Sequence, residues 1–256
     1  MVDYASVIGG NGTHLSVDAA SPKDPVAYFF DSTKNWNLDF GNGDDVLWAG
    51  GSGGNLKIAG GNGDDRILSG RGDDTLSGDN NNDWISAGEG RDLVSGGNEN
   101  DTILGGAGDD TLGGDNANDS LDGGAGRDML DGGNGDDMLF GGEGDDVIRG
   151  GTGADTLSGG AGNDTLWGEQ GSDTFLFDTN NFGADVIKDF GAGDRLLLKA
   201  NLNGTGIAAP GDLLAHNMVS GDAQTTIIQI GADQIRIEGL GVADFKAAIA
   251  TYVKIG

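Results

Sequence analysis

GGNGDDRIL, residues 60–68, is the first intact copy of a nine-residue unit that repeats thirteen times without an insertion, ending at Leu176. Written GGxGxDxUx with U apolar, the unit keeps aspartate at its sixth position in every copy: Asp65, Asp74, Asp83, Asp92, Asp101, Asp110, Asp119, Asp128, Asp137, Asp146, Asp155, Asp164 and Asp173. The eighth position is apolar in every copy, from Ile67 and Leu76 to Leu166 and Phe175. A disordered acidic tract has no reason to hold an apolar residue at a fixed phase, so this register argues for a folded repeat.

The spacing sets the local structure. In a strand, neighbouring side chains face opposite ways, so a three-residue x-U-x strand needs only its eighth position to point inward. The six residues before it must reverse the chain, and glycine supplies the positive φ angles that such a turn needs. Two strands and two turns make a coil of eighteen residues. Asn62, Asn80, Asn98, Asn116 and Asn134 occupy the third position of alternate units, whereas Arg71, Glu89, Ala107, Ala125 and Glu143 occupy the units between them, so the two edges differ in chemistry. Stacked coils place each aspartate roughly 5 Å from its equivalent in the next coil, and bare carboxylates in such a column repel.

The unit resembles the calcium-binding nonapeptide repeat of RTX (repeats-in-toxin) proteins, and the resemblance runs from about Phe40 to Gly256. It implies an all-β, right-handed parallel β-roll, a β-solenoid, that holds several Ca²⁺ ions. It also implies that one turn supplies its aspartate with its second and fourth carbonyls, and the next coil its aspartate with the first and third. On one edge that assigns Gly70, Gly72, Asp74, Ala87, Glu89 and Asp92 to one ion, and Gly88, Gly90, Asp92, Gly105, Ala107 and Asp110 to the next. The following three use Gly106, Gly108, Asp110, Gly123, Ala125 and Asp128; then Gly124, Gly126, Asp128, Gly141, Glu143 and Asp146; then Gly142, Gly144, Asp146, Gly159, Ala161 and Asp164. On the other edge, Gly133, Gly135, Asp137, Gly150, Thr152 and Asp155 form one set, and Gly151, Gly153, Asp155, Gly168, Gln170 and Asp173 another. Ca²⁺ suits such carbonyl-rich cages because it takes six to eight oxygens in loose geometry, whereas Mg²⁺ demands a tight octahedron. Zn²⁺ lacks its usual ligands in a chain with no Cys and two His.

Composition agrees. The formal net charge is −28, and 26 acidic residues stand against five arginines between Gly60 and Leu176. Self-repulsion on that scale should keep a metal-free roll unfolded, so ion binding becomes folding free energy. Such acidity argues against nucleic acid and anionic membranes as partners. Zero Cys excludes a disulfide framework, and no apolar run suits membrane insertion. The start, MVDYASV, lacks a basic region followed by an apolar core and does not read as a cleavable leader. The resemblance implies a secreted or cell-surface protein of a Gram-negative bacterium, passed by a type I exporter that reads an uncleaved C-terminal signal. Extracellular modules bind Ca²⁺ at about 10⁻⁴ to 10⁻³ M, which would let the chain fold only after leaving a calcium-poor cytosol.

Three copies replace the fourth-position glycine, with Asn81, Glu99 and Ala117, all on the asparagine edge. Altered turns with some ions missing or held differently are expected there; ordinary drift is the alternative. A second period of 36 is visible in Gly78-Asp79-Asn80 and Gly114-Asp115-Asn116. It also aligns Leu68, Leu104, Phe140 and Leu176 at the outward-facing ninth position, to be covered by the protein's own terminal segments or left for self-association.

FGNGDDVLW (40–48) and GGSGGNLKI (50–58) read as two worn repeats that extend the roll over 40–176. Solenoid ends expose strand edges and core, so residues 1–39, with short strands at 4–8, 26–30 and 36–40 and a loop at 21–25, read as an N-terminal cap. Residues 177–256 read as a C-terminal β-rich cap with the secretion signal: a hairpin of 225–230 and 234–238, then a short final helix over 242–253 in which Phe245, Ile249 and Val253 recur every four residues. No catalytic constellation stands out. GGSGG (50–54) matches GxSxG only as glycine-rich repeats do by accident, and His14 and His216 stand alone. The expected function is therefore non-enzymatic, an extracellular structural, surface-layer or adhesive element. The alternatives are an export and folding module of a larger secreted enzyme, such as a serralysin-like protease, lipase or alginate epimerase, and a binder of surface polysaccharide. An ice-binding face would need a regular threonine column, which the seventh position lacks.

Overall fold

A computed structural model describes residues 35–50 and 53–256, together with the backbone of three short strands, Asp3–Tyr4, His14–Ser16 and Val26–Phe29. The described strands form two sheets, of twelve and thirteen strands, and as far as Arg195–Leu198 consecutive strands alternate between them. Through the repeats every pairing is parallel and eighteen residues apart: Ile103 lies beside Ile85 and Leu121, and Leu112 beside Val94 and Leu130. The molecule is an all-β parallel β-solenoid, with one coil for every two units.

The eighth-position residues form the floor of the core. Ile67, Leu76, Ile85, Ile103, Leu121, Leu139 and Leu157 are all fully buried, each stacked on its equivalent in the adjoining coils. The strands are longer than three residues. Thr102–Ala107 and Met129–Asn134 span six residues each, and the burial alternates so that the first position of the following unit also faces inward. That position is mostly glycine and carries no apolar signal; Ser69 and Ala87 occupy it with zero exposure.

Both sheets continue beyond the thirteen units. Trp36–Asp39, Val26–Phe29, His14–Ser16 and Asp3–Tyr4 pair in parallel with the strands above them, so these strands, three of which overlap strands expected within residues 1–40, prolong the two sheets. The expected strand residues 5–8 and loop 21–25 lie outside the described residues. Beyond Leu176, the first sheet adds Arg195–Leu198 and Val253–Ile255, and the second adds Ala184–Ile187 and Asp233–Glu238, all parallel. Antiparallel pairing begins only at the hairpin of Thr225–Ile230 with Asp233–Glu238, which Val219–Gly221 extends.

Helix α1 (Pro210–Ala215), which the sequence pattern does not reveal, and helix α2 (Val242–Tyr252) close that end. They bury Leu213, Phe245 and Ile249. The Phe190 ring stacks obliquely on Phe175 at 5.8 Å and meets Tyr252 edge-on at 5.4 Å, which joins helix to roll. The chain does not end in the helix: Val253–Ile255 follows it as a strand of the first sheet. Leu68, Leu104, Phe140 and Leu176 are half-buried, and α2 packs on the strands beyond the repeats. No helix among the described residues is long and apolar enough to cross a membrane.

Candidate metal centre

Each sixth-position aspartate closes a strand start, and its carboxylate is used in a regular way. Oδ1 accepts the backbone N–H of the aspartate one coil earlier: Asp92 N–H to Asp110 at 2.8 Å, Asp110 N–H to Asp128 at 2.8 Å, Asp128 N–H to Asp146 at 2.8 Å. The other oxygen has no such partner. Oδ2 of every column aspartate from Asp65 to Asp164 is buried without a hydrogen bond. A buried charged oxygen left unpaired is costly, and two columns of them call for cations wherever the neighbouring carbonyls can complete a site.

Around these oxygens the backbone supplies carbonyls. A Cβ added to Gly124 or Gly126 would collide with the carbonyl oxygen of Gly106 or Gly108 in the coil before, so those two carbonyls point along the roll axis into the space between coils. The Ala125 carbonyl reaches back to accept the Gly108 N–H at 2.8 Å. A Cβ on Gly123 would stand 2.5 Å from Asp128 Oδ2, which places the first position of the unit against its own aspartate. The residues assigned to the ion between Asp110 and Asp128 are thus brought together. The same stacking recurs on that edge for Gly88 over Gly70, Gly90 over Gly72 and Gly144 over Gly126, and on the other edge for Gly151 over Gly133 and Gly153 over Gly135.

These residues fit Ca²⁺. Among the described residues, no cluster of three or more His, Cys, Asp or Glu side chains could hold a metal by itself. A cation here must draw on carbonyls with one carboxylate from each coil, the donor set of a hard, loosely coordinated ion. Bound there, the ion would neutralise the carboxylate column and join successive coils.

Electrostatics explain why the column needs that charge. Burial pushes the carboxyl of Asp128 up to about 6 and that of Asp92 up to about 7, against the backbone N–H each accepts, and neighbouring column aspartates push the same way. Asp83, between Asp65 and Asp101, rises to about 8 from burial, with those two carboxylates adding to the effect. Without metal, the folded roll therefore holds protons that the unfolded chain releases above about pH 4, so its stability falls as pH rises from about 4 through about 7. We expect metal-free protein to keep more β signal in circular dichroism at about pH 5 than at about pH 7.5, and calcium binding at neutral pH to release protons, measurable as buffer-dependent binding heat. More structure in chelator at neutral than at acidic pH would contradict this.

The columns are longer than the thirteen units. Asp185 accepts the Asp164 N–H and Asp194 accepts the Asp173 N–H, both at 2.9 Å and 21 residues on. Sequence reasoning missed them because residues inserted after Phe177 break the nine-residue phase, although Asp185-Val186-Ile187 and Asp194-Arg195-Leu196 keep the D-x-U signature. Upstream, Asp45 donates its N–H to Asp65 at 2.7 Å. The worn repeat at 50–58 is one residue out of register: Ile58 aligns with Leu76, and buried Leu56 takes the aspartate place. That column therefore starts at Asp74, on an apolar base of Leu56 and Trp36.

On the other edge, the asparagines form an amide ladder. Each Nδ2 donates to the Oδ1 one coil earlier, from Asn62 to Asn42 at 2.7 Å through Asn98 to Asn80 at 2.8 Å to Asn134 to Asn116 at 3.0 Å. Thr152 ends it by donating to Asn134.

The family comparison agrees with this geometry. The family profile described as RTX calcium-binding nonapeptide repeat (4 copies) matches at 51–85, 59–94, 77–112, 113–148 and 140–175. No curated protein matches the chain. Among solved structures, the extracellular lipase LipA from Serratia marcescens matches over 94% of this chain at 15% identity with a TM-score of 0.33, and the chain spans 41% of that lipase chain. Residues 51–175, the repeats that build the two aspartate columns, belong to the RTX calcium-binding nonapeptide-repeat family.

Proposed function

We propose that this protein is a secreted calcium-binding element of a Gram-negative bacterium, whose roll folds when Ca²⁺ enters the spaces between coils and then serves as a rigid extracellular structural, surface-layer or adhesive part. The observation that carries this reading is the row of buried, unpartnered Oδ2 atoms beside axis-pointing carbonyls. Several ions are needed, because the arrangement repeats with every coil. Most of the charge of −28 must be overcome before the coils can close, so binding and folding are one equilibrium. Passage through a type I exporter as an unfolded chain accords with such a switch. A role without catalysis accords with the regularity of the carboxylates, which the metal columns account for.

A calcium titration followed by circular dichroism tests the reading. The β signal should rise cooperatively at about 10⁻⁴ to 10⁻³ M Ca²⁺, fall on chelation and respond little to Mg²⁺. Asp128 borders two of the assigned sites, so Asp128→Asn, which keeps an acceptor for the Asp110 N–H, should raise the midpoint about tenfold, the equivalent of about 1.4 kcal/mol. Asp178→Asn, at an exposed position outside the columns, should leave it unchanged. Equal midpoints for the two variants would remove the site assignment, and an ordered roll at neutral pH in chelator would remove the function.

A further inference from the structure

The two edges of the roll are not closed in the same way. In the glycine turns, the fourth position takes φ between 115° and 158°, from Gly72 to Gly171. Its N–H donates to the third-position carbonyl of the next coil, as Gly90 does to Ala107 and Gly126 does to Glu143, both at 2.8 Å. At Asn81, Glu99 and Ala117, φ is 78°, 69° and 76°, and that backbone bond is not made. A Cβ would collide with the carbonyl stacked beneath it, and the left-handed conformation relieves this by turning the peptide away. The Asn81 N–H instead donates to Glu99 Oε2 at 3.0 Å.

Three consecutive coils carry these replacements, and the same three carry asparagine at both the third and the fifth position. The third-position ladder runs Asn116 to Asn98 to Asn80. In the fifth-position ladder, the Asn118 N–H donates to Asn100 Oδ1 at 2.9 Å, and the Asn100 N–H donates to Asn82 Oδ1 at 3.2 Å. In the flanking coils the fifth position returns to aspartate, at Asp64 and Asp136, and the fourth returns to glycine, at Gly63 and Gly135. The double amide ladder and the lost glycines thus coincide. Together they span the two inter-coil spaces on either side of Asp101, from Asp83 to Asp101 and from Asp101 to Asp119.

Building on the calcium-binding reading of the columns, we infer that these two spaces take no calcium and are joined by the neutral amide ladders instead. Calcium occupies the opposite edge in the same coils. The roll therefore has a metal-free seam facing a metal seam.

Asp101 and Asp110 lie in the same coil on opposite edges, and each accepts one backbone N–H, from Asp83 and Asp92. Asp101→Asn and Asp110→Asn both preserve that bond, so both variants should fold. Native mass spectrometry of calcium-loaded protein should show Asp101→Asn binding as many ions as the parent, and Asp110→Asn losing one or both of its flanking ions. Glu99→Gly, which restores the turn shared by the two spaces, should gain calcium. Asn98→Ala, which cuts the ladder, should lower the melting temperature of loaded protein without changing its ion count. Loss of calcium from Asp101→Asn equal to that from Asp110→Asn, or anomalous scattering from calcium between Asp83 and Asp101 in crystals of the parent, would overturn the inference. A parent that binds no calcium at all would instead fell the underlying reading, and this inference with it.

Discussion

Gly108→Ala is expected to destabilise the calcium-loaded protein by about 3 kcal/mol or more, the sum of an overpacked contact and a conformation hostile to a side chain. Gly108 has φ 141°, and its α-carbon faces the Gly90 carbonyl so closely that an added methyl would overlap the oxygen. Backbone cannot rotate aside as a side-chain tip can. Relief requires the left-handed turn seen at Ala117, which gives up the 2.8 Å bond from the Gly108 N–H to the Ala125 carbonyl. Because that carbonyl and the one above Gly90 belong to the same stack of sites, calcium affinity should fall along with stability. Thermal melting in saturating calcium reads the first effect, and the titration midpoint the second. Gly211→Ala, in helix α1 with open space around its α-carbon, should cost nothing measurable. A Gly108→Ala protein that melts with the parent would mean that the coils are less tightly stacked than described.

Leu121→Ala is expected to cost about 2–5 kcal/mol, through lost burial and a cavity that rigid neighbours cannot fill. Leu121 has zero exposure and lies between Ile103 and Leu139 in a core only one apolar residue deep per strand. The core has no second layer to collapse into the gap. The number of bound ions should not change, because the assigned ligands come from the first four positions and the aspartate of each unit, not from the eighth. Leu93→Ala, at an outward position that is 53% exposed, should shift stability by less than about 0.5 kcal/mol. Similar losses from the two substitutions in chemical denaturation would show that the eighth position is not the core.

The fold was legible because one residue per unit carries it. Ile67 and its twelve successors state the inward phase, and the alternation of Asn62 with Arg71 states that a coil holds two units. The aspartate columns were legible for the same reason, in the unbroken run of Asp65 to Asp173. What could not be read was whatever depends on glycine or on a break in phase. The buried first position is silent in sequence because Gly60 and Gly105 offer no side chain to classify. Asp185 and Asp194 were hidden by the residues inserted after Phe177, and Leu56 by a one-residue slip beside the turn at Gly53 and Gly54. The strands His14–Ser16 and Val26–Phe29 lack the repeat altogether, and only their pairing shows that they prolong the sheets. The altered turns at Asn81, Glu99 and Ala117 were foreseen from their side chains, whereas the ladders that accompany them required knowing which asparagines stack.

A coil of eighteen residues that touches only its neighbours leaves the molecule without an intrinsic length. Heredity can add or strike out material here, but only in multiples that return each margin to its own kind. A loss of nine residues would seat asparagine above arginine or alanine and throw the amide rungs onto the opposite edge. The echo of Gly78-Asp79-Asn80 in Gly114-Asp115-Asn116, two coils apart, is what growth under that rule leaves behind.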